Sequence, residues 1–240
     1  IESSKNESQY YLSRNLIDAK KFSKAIEILE PLFNNNPREI RYGQRLAFCF
    51  LSLNRLKKCR ALIDQLKEIQ KEIEKEEKEL SEDELKKKKL SFIREAELPN
   101  YLKYIEGLLF LRANKWMKAL KLLGEVSDKV PNNIDVHLNI GKACLHRKLW
   151  EEAQNAFIIA LSIDDTNSVA HHGLGISLLR RGLFEPALDE FFLALETNYA
   201  YPNAHYHIGE TLVRMKKYEE AERAFMAAVS LAPGMTKGHK

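Results

Sequence analysis

The chain has 240 residues, 45% hydrophobic and 30% charged, with a formal net charge of +4. So small an excess, with Lys and Glu interleaved, leaves no basic footprint for nucleic acid. No apolar run approaches the ~20 residues that span a bilayer, and no signal peptide opens the chain. The sequence starts on Ile1 without a methionine and reads as a fragment or a processed form, so this says little about the parent's compartment.

In chain order, Asn6 to Glu39 carries Leu12, Ser13, Leu16, Phe22, Ala25, Leu29 and Pro37. Ile40 to Ile73 repeats that register with Leu46, Ala47, Phe50, Leu56, Cys59 and Ile63. The interval 74–99 breaks it with a dense Lys/Glu mixture of strong helix propensity. Leu66, Ile69, Ile73 and Leu80 prolong an apolar stripe, and Ser81 with Glu84 reads as a capping box opening a new helix. Leu85, Leu90, Phe92, Ile93 and Leu98 supply a return face before Pro99 stops it. The interval is expected to be a projecting helical hairpin, and a charged disordered loop is the alternative. The run Lys86 to Lys89 follows Glu82 to Glu84 and reads as a solvated face.

From Asn100 the register resumes with a 34-residue period: Gly107, Gly141, Gly175 and Gly209; Ala119, Ala153, Ala187 and Ala221; Trp116, Trp150, Phe184 and Tyr218. A period of this length marks stacked supersecondary units, none of which buries its apolar face alone. Within Pro202 to Met235, Ile208, Leu212 and Met215 form one helical series. Ala221, Phe225, Ala228 and Val229 form a second after a short turn, and Pro233 closes the unit. Two helices in an antiparallel hairpin are predicted, meeting at the small residues Gly209 and Ala221, with Tyr218 filling the space between units.

This pattern resembles the tetratricopeptide repeat family. In the last unit its nine marked positions are His205, Ile208, Gly209, Leu212, Tyr218, Ala221, Phe225, Ala228 and Pro233, and the two preceding units match closely, with Tyr199 in place of one proline. The resemblance implies an all-α, right-handed α-solenoid of about six helix-turn-helix repeats with a helical insertion. It divides the chain into repeats one and two (1–73), the insertion (74–99), repeats three to six (100–235) and the start of a seventh (236–240), where His239 extends the series His137, His171, His205.

Equivalent histidines lie about one helix spacing, ~10 Å, apart, too far to share one ion, so packing is expected for them and no metal or cofactor is assigned. Cys49, Cys59 and Cys144 form no Cys-x-x-Cys pair and read as reduced, buried thiols, which leans towards a cytoplasmic setting. No nucleophile or phosphate-binding signature stands apart from the repeat, so the chain is not read as an enzyme.

In this family the first helices line a concave groove. The resemblance places Tyr104, Arg112, Lys142, His146, Arg180 and Arg214 there, beside Tyr10, Tyr101, Leu138 and His172 among others. Such a groove suits an acidic or mixed peptide. The family's chaperone carboxylate clamp is not expected, because Tyr104, Leu108, Val169 and Gly173 replace its ligands. The leading reading is a non-catalytic protein-interaction scaffold that binds a partner peptide or helix. The alternative is a regulatory or docking domain of a larger multidomain enzyme. Self-association through exposed repeat ends is compatible with either.

Overall fold

The computed structural model describes residues 2–78 and 98–232, which contain helices and turns and no strand. The capping box at Ser81, the hairpin return face from Leu85 to Ile93, the four-lysine run, Pro233 and His239 lie outside the described residues. The chain forms two compact units, 1–122 and 123–240, with the boundary inside one helix.

The first unit holds α1 (Glu2–Asp18), α2 (Phe22–Asn35), α3 (Ile40–Ser52), α4 (Leu56–Lys78) and α5 (Leu98–Arg112). Its core centres on Leu29, Phe33, Ile63, Leu66, Leu102 and Ile105, each under 2% exposed. α4 runs for 23 residues, well beyond the 13 of α3. The Lys67 ammonium reaches Glu106 of α5 at 2.7 Å, and Arg38 grips Glu76 with both terminal nitrogens. Pro99, expected to end a helix, instead sits in the first turn of α5, where its missing N–H removes no bond. Leu12, expected in the core, is 52% exposed on α1, while its neighbour Ser13 is fully buried and donates to the Tyr10 carbonyl.

α6 (Trp116–Ser127) straddles the boundary. The second unit then stacks three hairpins: α7 (Ile134–His146) with α8 (Trp150–Ile163), α9 (Ser168–Arg180) with α10 (Phe184–Thr197), and α11 (Pro202–Arg214) with α12 (Tyr218–Leu231). Ala153, Ala187 and Ala221 are 2% exposed or less, as small residues at helix crossings should be. Each glycine at the matching crossing faces an aromatic ring. A Cβ on Gly141 would lie 2.6 Å from Phe157, one on Gly175 2.6 Å from Phe191, and one on Gly209 2.7 Å from Phe225. Tyr218 departs from expectation, standing 60% exposed at the start of α12.

The turns repeat as faithfully as the helices. Asn114, Lys148, Gly182 and Lys216, thirty-four residues apart, all have positive φ. The following amide closes each turn: Leu149 to the Cys144 carbonyl at 2.9 Å, Leu183 to Leu178 at 3.0 Å, Lys217 to Leu212 at 2.9 Å. A left-handed residue followed by this six-to-one bond satisfies carbonyls that the helix end leaves unpaired.

Candidate functional site

The first helices of the second unit carry Lys142 and His146 on α7, Arg180 on α9 and Arg214 on α11, all exposed. His146, Arg180 and Arg214 occupy the last turn of their helices at one repeat position. A cation there also complements the negative end of the helix dipole, so Arg180 and Arg214 serve the fold whether or not they touch a partner. Arg180 is engaged: both of its terminal nitrogens bond Glu210 of α11. Arg214 has no ion pair among the described residues. Crowding by protein lowers the Lys142 ammonium from its ordinary range, and Asp135 opposes the shift only in part.

Beside these lies a cluster built around His172. His172 is buried, and its Nε2 stands 3.1 Å from Nδ1 of His207; Tyr201 Oη is 3.0 Å from its Nδ1. His207 Nδ1 also lies 2.8 Å from the Asn203 carbonyl. A carbonyl only accepts, so His207 Nδ1 carries a proton and shares it with a bare His172 Nε2. His172 therefore keeps its proton on Nδ1 and donates it to Tyr201. Phe191 packs against both imidazoles, stacked on His207 at 5.7 Å. Burial, with help from neighbouring His207 and Lys142, lowers His172 to about 3; burial also lowers His207. The pair is neutral at physiological pH.

Tyr201 explains why this cluster exists. Asn133 and Asn167 cap α7 and α9 by accepting from Val136 N and Ala170 N. The equivalent residue before α11 is Tyr201, which caps nothing with its side chain and turns to His172 instead. The histidine ladder has a separate role. Nε2 of His137, His171 and His205 meets the carbonyl six residues upstream, of Pro131, Asp165 and Tyr199, at 2.7, 2.8 and 3.1 Å. Each ring pins the loop that enters its own repeat. Among the described residues no group of three or more metal-ligating side chains converges.

Tyr104 and Arg112 belong to the first unit. Tyr104 is half-buried against the core of that unit, and Arg112 is exposed at the end of α5. Two expected groove tyrosines are structural: Tyr10 is 7% exposed, and Tyr101 donates to the Gln44 carbonyl at 2.7 Å. Leu138 is likewise buried. The rule that a first-helix position faces the groove says nothing of how deep the side chain sinks. Cys49, Cys59 and Cys144 are buried, which pushes each thiol up to about 11 and leaves it a poor nucleophile. No described helix is long and apolar enough to cross a membrane.

Family models described as Tetratricopeptide repeat match residues 104–168 and 202–235. The two matches together cover less than half of the chain and mark those stretches as tetratricopeptide repeats. No curated protein matches the sequence. Among solved structures, one of Pseudomonas aeruginosa pilF superposes over 98% of this chain and 95% of its own, with a TM-score of 0.72 at 13% identity. YrrB, described as a TPR protein with an unusual peptide-binding site, gives 0.60 at 15% identity, covering 87% of this chain and 94% of its own. MamA gives 0.51 at 23% identity over 55% and 77%. At these identities the likeness speaks for the fold alone.

Proposed function

We propose that this tetratricopeptide repeat chain is a non-catalytic interaction scaffold, and that the first-helix face of its second unit receives an acidic or mixed peptide segment of a partner protein. The observation that carries the reading is the row of exposed bases along α7, α9 and α11. Lys142 and Arg214 have no ion pair among the described residues, and a neutral aromatic cluster of His172, Tyr201, Tyr206 and His207 lies between those helices. An exposed cation of this kind can form a charge-assisted hydrogen bond to a ligand carboxylate. Arg180, already held by Glu210, is the weakest anchor of the set, and a ligand carboxylate would have to displace Glu210 to reach it. YrrB shows that a chain of this fold can carry a peptide-binding site, a precedent of architecture only.

A peptide array probed with the intact chain tests the reading. Bound peptides should be enriched in Asp and Glu, and Lys142→Glu with Arg214→Glu should abolish the enrichment while the thermal melt stays put. Binding that survives both reversals would remove this face from consideration.

A further inference from the structure

The opposite side of the second unit carries a pattern that the fold does not require. On the second helices, repetition places Ile158, Phe192 and Met226 thirty-four residues apart at one position, and they are 46%, 51% and 65% exposed. Ile159 and Leu193 follow at the next position, 44% and 37% exposed. Residues so open contribute little to the core, whose second-helix members include Ala153, Phe157, Ala187 and Phe191. Lone exposed apolar side chains need no explanation, but a set in register on three successive helices does. The first unit lacks it: the corresponding residues are Glu30 on α2 and Asp64 on α4.

The charge around this ridge is one-sided. Glu151, Glu185 and Glu219 are exposed, also thirty-four residues apart, two turns towards the N-terminus of each helix. Asp189 and Glu196 flank Phe192 on the exposed face of α10. Arg223 is the only Lys or Arg in α8, α10 and α12. Only Glu151 of the three rail glutamates has a cationic partner among the described residues, Arg181 at 3.1 Å, and it stays 74% exposed.

We infer that the second-helix face of the second unit is a docking surface for a basic amphipathic helix of a partner protein. Its apolar stripe would rest on Ile158, Phe192 and Met226, and its Lys or Arg side chains would meet the glutamate rail. Charge complementarity selects this occupant: an anionic lipid surface or an acidic peptide would be repelled by the same rail. Two repeat steps of about 10 Å make a ridge of roughly 20 Å, which a helix of about 14 residues spans at 1.5 Å per residue. This surface is independent of the first-helix face, and either can fail without the other.

The test uses the whole chain and a fluorescein-labelled 14-residue peptide of Leu and Lys set at helical period. Two controls accompany it, one scrambled and one with Glu for Lys. Anisotropy should show the Lys/Leu helix binding at least tenfold tighter than either control, with affinity falling as salt rises. Phe192→Glu, or Phe192→Ser with Ile158→Ser should the charge impair folding, should weaken binding at least tenfold. Glu185→Lys with Glu219→Lys should do the same, and Lys142→Glu with Arg214→Glu should leave it unchanged. Equal binding of the scrambled peptide, no binding of the Lys/Leu peptide, or indifference to the Phe192 change would overturn the proposal. So would sedimentation showing a dimer that Phe192→Glu converts to monomer, since the occupant would then be a second copy of this chain.

Discussion

The Phe157 ring is gripped from two sides, and the grip rests on two missing methyl groups. A Cβ on Gly141 would stand 2.6 Å from the ring and one on Gly173 2.3 Å, while the ring itself is 1% exposed and has nowhere to move. Helix propensity favours Ala over Gly by up to about 1 kcal/mol, but overpacking a closed site costs about 1–3 kcal/mol. The steric effect should win, so Gly173→Ala should lower the midpoint of urea unfolding. Gly124→Ala is the matched control. Its new methyl would meet nothing within 4 Å, and that variant should be neutral or more stable. A Gly173→Ala protein as stable as the parent would show that the ring can shift. At the same scale, His172 sets a pH dependence. Its folded value is lowered to about 3 from 6.5, so the unfolded chain takes up a proton that the folded chain refuses. The stability is therefore complete above pH 6.5 and drains as pH falls towards 3, by at most about 1.4 kcal/mol per pH unit. His207 on α11 and Lys142 on α7 face the ring and push the same way. Between pH 7 and 5.5, above the range where carboxylates titrate, His172→Gln should flatten the loss of stability seen in the parent chain. An unchanged slope would locate the effect elsewhere.

Elements were legible where a position demands one residue type, and illegible where several serve. The 34-residue spacing of glycine and alanine placed the hairpins of the second unit because only small residues permit those crossings. The short turns were legible but their left-handed residues were not, because five of the six positive-φ positions among the described residues hold Asn or Lys where glycine would have been the signal. A lysine held left-handed costs about 1 kcal/mol relative to glycine. Lys148→Gly and Lys216→Gly should each raise the melting temperature, whereas Gly182→Ala, at φ 81°, should lower it. A fall in melting temperature for both lysine variants would mean that their side chains do more than fill the turn. The candidate site was read by position alone, and the partners of each side chain proved decisive. The Arg180–Glu210 pair and the burial of His172 depend on which residues the neighbouring helix brings opposite, which a single repeat does not reveal.

At the scale of the whole molecule, both units bury large and small side chains, in different proportions. The first relies on large side chains, with Phe33, Leu29 and Leu66 at 1% exposure or less, and on ion pairs such as Arg41 with Glu7 and Lys67 with Glu106. The second relies on close approach, with Ala153, Ala160, Ala170, Ala187, Ala194 and Ala204 all fully buried. Close-packed small residues tie each helix to its immediate neighbours, and stability in such a stack is a sum of repeat and nearest-neighbour terms. The second unit should therefore fold without the first. A chain of residues 116–240, which keeps α6 whole, should give a helical circular dichroism spectrum and a cooperative melt. Within it, Ala187→Leu should overpack the α9–α10 crossing by about 1–3 kcal/mol and reduce hydrogen-exchange protection in α8 and α11 as well. Loss of protection confined to α9 and α10 would show that the crossing is not coupled to its neighbours. A featureless melt of the unmutated fragment would show that the second core is not self-sufficient.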